Sequence, residues 1–321
     1  MAYTAGDLIL DDHYNIFATG DAGGTATAGA NVNHVWGTGF GSSGYGQGTV
    51  LTPVATGNTI TATQWSTMLA RINSAASHQG TAITTITSPV AGNTITAYNA
   101  LSANITAIHT NRLNFTANGT DFVGSTATGT SNWNTLTQHT FSVTFASADA
   151  ARYYFNAGGT IRIAFNIAGG TADAKYNEWV DLANVLAGTV EFGANTTTKV
   201  GGTGIPTTAN PFASGYYQMG LTPVTVYQQF ADSSPYTTNN IEVRSLRTGA
   251  LGTNGDNGAT FNLIVNYNDA ATDSVFTNPV DTALDVMNGT VTSTLTFRPP
   301  STTYLTNTWG TPTATFTNSQ T

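Results

Sequence analysis

Near Asn118 the spacing of apolar residues along the chain changes, and that change constrains the fold more than any single motif. Before it, Trp65, Met68, Leu69 and Ile72, and then Tyr98, Leu101, Ile105 and Ile108, recur at steps of three and four, the spacing of a helix face. After it, apolar and polar residues alternate. Phe141, Val143 and Phe145 interleave with Ser142 and Thr144, and Ile161, Ile163, Phe165 and Ile167 interleave with Arg162, Ala164 and Asn166. The same period runs through Val224 to Tyr227, Ile241 to Arg244, Phe261 to Tyr267 and Val291 to Phe297, with turn signals at Asn118-Gly119, Asn257-Gly258 and Asn288-Gly289. The pattern predicts a mainly β protein, an antiparallel β-sandwich with jelly-roll-like connections over 116–300. One helix interrupts it: Asn177 to Leu186 places Trp179, Leu182, Val185 and Leu186 on one side, and Gly188 stops it. Residues 1–115 form a region of short helices and glycine-rich loops. Residues 301–321, rich in Thr and Asn with isolated Trp309 and Phe316, are expected to be a tail ordered by contact with another chain.

The first third is repetitive. Gly57-Asn58-Thr59-Ile60-Thr61-Ala62 recurs as Gly92-Asn93-Thr94-Ile95-Thr96-Ala97, each followed by an aromatic, Trp65 or Tyr98. Gly6-Asp7-Leu8-Ile9 leading to Tyr14 and Phe17 is a degenerate third copy. Thr61 and Gln64 stand at the positions of a capping box, so each unit reads as an extended segment turning into a short amphipathic helix. One such helix has too little surface to bury its apolar face alone. Tyr14, Phe17, Trp65, Met68, Leu69, Ile72, Tyr98, Leu101, Ile105 and Ile108 are therefore the candidate assembly interface.

Composition decides which functions are open. Only 8% of the 321 residues are charged, against about 25% in an ordinary soluble protein, yet 40% are apolar and 10% aromatic, so the chain folds but presents hydroxyls, amides and small side chains. Cysteine is absent, which removes disulfides, thiolate metal sites and cysteine nucleophiles. A net charge of −8 with only two lysines, Lys175 and Lys199, offers no basic stripe for nucleic acid. No run approaches the roughly 18 apolar residues of a membrane span, and no targeting segment is evident at the start.

Motifs for chemistry are thin. The glycines between Gly37 and Gly48 lack the flanking strand and helix of a phosphate loop and read as a turn or contact element. His13, His34, His78, His109 and His139 show no metal-ligand spacing; His78 and His109 close two repeated helices, where a partial positive charge suits the exposed carbonyls. Asn254 to Gly258 and Asn268 to Asp273 carry oxygen ligands but no complete calcium loop, and read as turns. No catalytic residue, metal ligand or cofactor is expected. Asp149, Glu178, Asp181, Glu191 and Glu242 are the conceivable acids if the chain were a glycan-degrading enzyme.

Several strings carry a resemblance: Gly44-Tyr45-Gly46-Gln47, the repeated Gly-Asn-Thr-Ile-Thr before an aromatic helix, Arg152-Tyr153-Tyr154-Phe155-Asn156-Ala157-Gly158-Gly159, Ile161-Arg162-Ile163, the tryptophan helix, and Asn288-Gly289-Thr290-Val291. In these the chain resembles virion structural proteins of tailed bacteriophages, of fibre, collar or neck type, particularly those of marine and cyanobacterial phages. The resemblance implies a non-enzymatic particle component, made in the host cytoplasm, that assembles with itself and with other virion proteins. Analogy with viral fibres suggests a trimer. The alternative is a fibre adhesin that binds host-surface glycan, using Tyr216-Tyr217 or Tyr236 as aromatic platforms.

Overall fold

A computed structural model describes residues 11–48, 50–88, 90, 97–130, 132–206, 214–271 and 286–321. The helical region comes first, with α1 Asp11–Thr19, α2 Val32–Trp36, α3 Ala62–Gln79 and α4 Tyr98–Thr110. The capping box of α3 is present: the Gln64 backbone N–H donates to Thr61 Oγ1 at 3.2 Å and the Thr61 N–H donates to Gln64 Oε1 at 2.9 Å. Gly80 ends α3 in the left-handed conformation, φ 67°. Helix α4 follows the second repeat without a side-chain cap at Ala97. Residues 91–96 of that repeat, and the Gly6 to Ile9 portion of the third copy, lie outside the described residues.

The remainder is a sandwich of two antiparallel five-stranded sheets. Its strands are β1 Phe122–Gly129, β2 Leu136–Thr144, β3 Thr160–Ala168, β4 Thr189–Phe192, β5 Thr197–Val200, β6 Val224–Phe230, β7 Asn240–Arg247, β8 Thr260–Asn268, β9 Thr290–Arg298 and β10 Thr313–Gln320. One sheet is ordered β1-β9-β3-β4-β5, the other β10-β2-β8-β7-β6. The alternation in the sequence is the alternation of burial: β9 buries Val291, Ser293, Leu295 and Phe297 and turns Thr290, Thr292, Thr294 and Thr296 outward. Between the sheets an aromatic cluster of Phe145, Tyr154, Phe155, Phe192, Tyr216 and Phe261 fills one end, and Trp133, Trp179 and Tyr267 meet at another. Burial of each such ring contributes roughly 1.5–3 kcal/mol.

Three expectations are corrected. The protein is mixed, about 28% strand and 25% helix, not mainly β. One reason is α5, Ala148–Asn156, which the alternating stretch around it hides; Ser147 caps it by accepting from the Ala150 N–H at 3.0 Å. The expected inserted helix is α6, Ala174–Asp181, which continues as a π-helical turn over Leu182–Leu186. The wider turn keeps Leu182 and Leu186 buried but rotates Val185 outward, leaving it 45% exposed. Finally, 301–321 is no loose tail. Trp309 and Leu305 are buried, β10 pairs with β2 from Thr313↔Thr144 to Gln320↔Thr137, and the Thr321 carbonyl accepts from the N–H groups of Asn134, Thr135 and Leu136.

Candidate functional site

The ten side chains expected at an assembly interface are taken up by the chain itself. Tyr14, Phe17, Trp65, Met68, Leu69, Ile72, Leu101, Ile105 and Ile108 are buried, and the half-buried Tyr98 packs its ring on Phe17 at 4.9 Å and on His13 at 5.4 Å. Their helical spacing is real, but the faces they form meet one another and build the core of the helical region.

The glycine-rich loop likewise works inward. Arg152 of α5, fully buried, donates through Nη1 to the Ser43 carbonyl at 2.6 Å and through Nη2 to that of Thr38, and Asp149 holds its Nη2 at 2.9 Å. Asn156 Nδ2 donates to the Gly41 and Gly44 carbonyls at 3.1 Å, and the Tyr217 hydroxyl donates to Gly41 at 2.7 Å. A loop can turn this many carbonyls onto one side only if its backbone visits φ > 0. Gly44 and Gly46 do so, and a Cβ on Gly46 would strike the Tyr153 ring at 2.2 Å. Arg152 is thus one of the residues that join the helical region to the sandwich, and the most deeply buried charged one. The sequence marked it only by its place in the Arg-Tyr-Tyr-Phe string.

The groups singled out for chemistry are placed as follows. His78 is buried with Nε2 3.1 Å from the Ala157 carbonyl, and the ring of His109 lies 5.8 Å from that of His34, tilted by 36°. Burial lowers the pKa of both His78 and His109, which works against the positive charge that a helix-terminus role favours. Asp149 pairs with Arg152, Glu191 with Arg162, and Glu242 accepts from Asn266 at 3.1 Å. Of the five conceivable acids, only Glu178 and Asp181 come together. With Asp232, which sequence reading passed over, they place one oxygen each within 4.8 Å of the others. Burial, and then the Asp232 charge, push the Asp181 carboxyl up. Glu178 Oε1 accepts from the Asp232 and Ser233 N–H groups at 3.2 and 3.1 Å, which gives the buried acid a loop-holding role. Asp256 accepts from the Gly252 and Gly258 N–H groups, forming the expected turn. Tyr216 and Tyr236 are buried and Tyr217 points inward, so none of the three is a sugar platform.

The least protected part of the sandwich is the seam between β10 and β1. Strand β10 lies at the edge of its sheet, eight residues without a charge or a proline, Thr-Ala-Thr-Phe-Thr-Asn-Ser-Gln. Phe316 stands opposite the fully buried Phe141, so it shares the face that looks toward the other sheet. It is nevertheless 41% exposed. The neighbouring strand across the seam is β1, reached through Asn318 Nδ2 donating to the Thr128 carbonyl at 2.6 Å. β1 is also an edge without charge, and its Val123 is exposed beside a register shift between Val123 and Ser125. Natural sheets protect such edges with charge, proline or cover. Among the described residues no helix of the structure is long and apolar enough to cross a membrane. Compared with protein-family models, curated proteins and solved structures, the chain matches none.

Proposed function

We propose that the chain is a structural component of a tailed-bacteriophage virion, of fibre, collar, neck or decoration type, and that it acts by assembling with copies of itself and with other virion proteins. The observation that carries this reading is Phe316, a core-facing aromatic on an uncharged edge strand that the chain's own second sheet leaves uncovered. A ring that is 41% exposed gains on the order of 1 kcal/mol when a neighbour covers the rest of it, and a sheet edge is a natural place for that neighbour to pair. A surface so poor in charge suits repeated close contact more than free diffusion. The resemblance in the glycine loop, the repeats and the α5 string supplies the particle. A jelly-roll-like reading of the connections rests on the long-range pairing of β1 with β9 and of β2 with β8, whereas β3-β4-β5 and β6-β7-β8 are meanders.

Light scattering on a size-exclusion column tests the mechanism. The full chain is expected to run as a homo-oligomer, and Phe316→Ser to shift it toward monomer with an unchanged circular dichroism spectrum. A wild-type chain that stays monomeric at high concentration would remove self-assembly from the reading.

A further inference from the structure

One of the two lysines in this charge-poor chain is in the interior. Lys175, on the first turn of α6, is 1% exposed, and its Nζ lies 2.6 Å from Oδ2 of Asp269, whose side chain is 0% exposed. Both stems are fixed. Asp269 directly follows β8; its N–H donates to the Thr135 carbonyl at 2.9 Å, and the next two N–H groups, of Ala270 and Ala271, donate to Asn239 Oδ1 at 2.9 and 2.8 Å. The start of α6 is pinned by Asp173, which accepts from the Tyr176 N–H at 2.7 Å and from Asn288 Nδ2 at 3.0 Å. Trp179, one helical turn beyond Lys175, packs on Trp133 at 5.0 Å and lies near Tyr267, two residues before Asp269, at 6.3 Å. The helix that carries the amine and the strand that leads to the carboxyl thus pack on each other through aromatic rings.

A buried ion pair between two such groups is costly, and an arginine would have offered a two-pronged grip on the carboxylate that a lysine does not. What lysine has instead is an amine that becomes a nucleophile once it gives up its proton. Moving one proton from Nζ to the carboxylate along the contact discharges both groups and leaves a neutral amine facing a carboxylic acid. Held reactants of this kind reach effective molarities of about 10⁵ M or more. We infer that Lys175 and Asp269 join in an intramolecular isopeptide bond in the folded protein. Nζ bonds to Cγ of Asp269, the Cγ–OH bond breaks, and the hydroxyl leaves as water with a proton from the attacking nitrogen; no oxidant or other reactant takes part. The bond ties α6 to the end of β8, and so to the other sheet, in a chain with no cysteine to make a disulfide.

Intact mass spectrometry of the purified, denatured full chain tests this. The wild type is expected to be lighter than its sequence by one water, and proteolysis to release a branched peptide containing Lys175 and Asp269. Lys175→Arg and Asp269→Ala are expected to have the full mass of their own sequences. Asp269→Asn, which closes with loss of ammonia, is expected to end at the same mass as the closed wild type. A folded wild-type protein that keeps its full mass after days at neutral pH overturns the inference, as does a water loss that persists in Lys175→Arg.

Discussion

At the scale of single residues, His139 sets a pH limit on the sandwich. It faces inward from β2, with Nδ1 2.9 Å from Ser293 Oγ and its ring 5.6 Å from that of Tyr267. Its Nε2 has no hydrogen-bond partner among the described residues, so a second proton would place an unpaired charge in the core. Burial accordingly lowers its pKa from 6.5 to about 4. The unfolded chain then binds more protons than the folded one between those values. Stability from this group is complete above pH 6.5 and falls as pH drops toward 4, by roughly 3 kcal/mol in all. His34, lowered to about 4 by burial and then by His109, Arg112 and Arg152, works in the same direction over the same window. Urea unfolding at pH 7 and near pH 4.5 should therefore show a smaller acid loss in His139→Gln, which keeps a hydrogen-bonding group for Ser293 and has no proton to gain. Equal losses in variant and wild type would assign the acid sensitivity to other groups.

Among elements, β10 is where sequence reading and structure part most clearly. Deleting residues 313–321 would cost little if they were a tail. Instead it would strip β2 of one of its two partners along the whole Thr137 to Thr144 register and bring Phe141 and Val143 to the edge of the sheet. The expected result is a loss of about 3 kcal/mol of stability from uncovered apolar surface alone, read as a lower urea midpoint, together with aggregation through the new edge. Light scattering and denaturation of the truncated chain would check both. The sequence was legible where one face of an element is apolar throughout: α3, α4, β2, β3, β7, β8 and β9 announce themselves by period. It was silent at β10 and β1, whose edge positions leave both faces partly in solvent and so erase the alternation. It also left the cover of the helices unspecified. Periodicity reveals that a helix has an apolar face and leaves open whether the cover is the same chain or another, so the faces of α3 and α4 were expected to meet a partner when they meet each other. Phe316 was visible only as an isolated aromatic, because its exposure depends on how far the opposite sheet extends.

Over the whole molecule, the change of period near Asn118 divides two kinds of secondary structure without dividing the packing. The helical region and the sandwich are held together by buried polar contacts: Arg152 and Asn156 on the glycine loop, His78 against Ala157, and Gln47, which donates to the Thr306 carbonyl at 3.0 Å and accepts from its N–H at 2.8 Å. Each of these groups has left water, so pulling the two parts away from each other without unfolding either would have to rehydrate all of them at once, and Arg152 is anchored on both sides. The chain should unfold in one transition, with helical circular dichroism and tryptophan fluorescence, which reports Trp36 and Trp65 in one part and Trp133, Trp179 and Trp309 in the other, giving coincident curves. Replacing Arg152 by Met removes the central tie and leaves the Thr38 and Ser43 carbonyls buried without it, at a cost of about 3 kcal/mol or more. Arg152→Lys should recover only part of that, since one ammonium does not span the carbonyls that the guanidinium reaches. If the wild type instead melts in two separate steps, one helical and one β, the two parts are independent units and Arg152 is a local contact, not the joint between them.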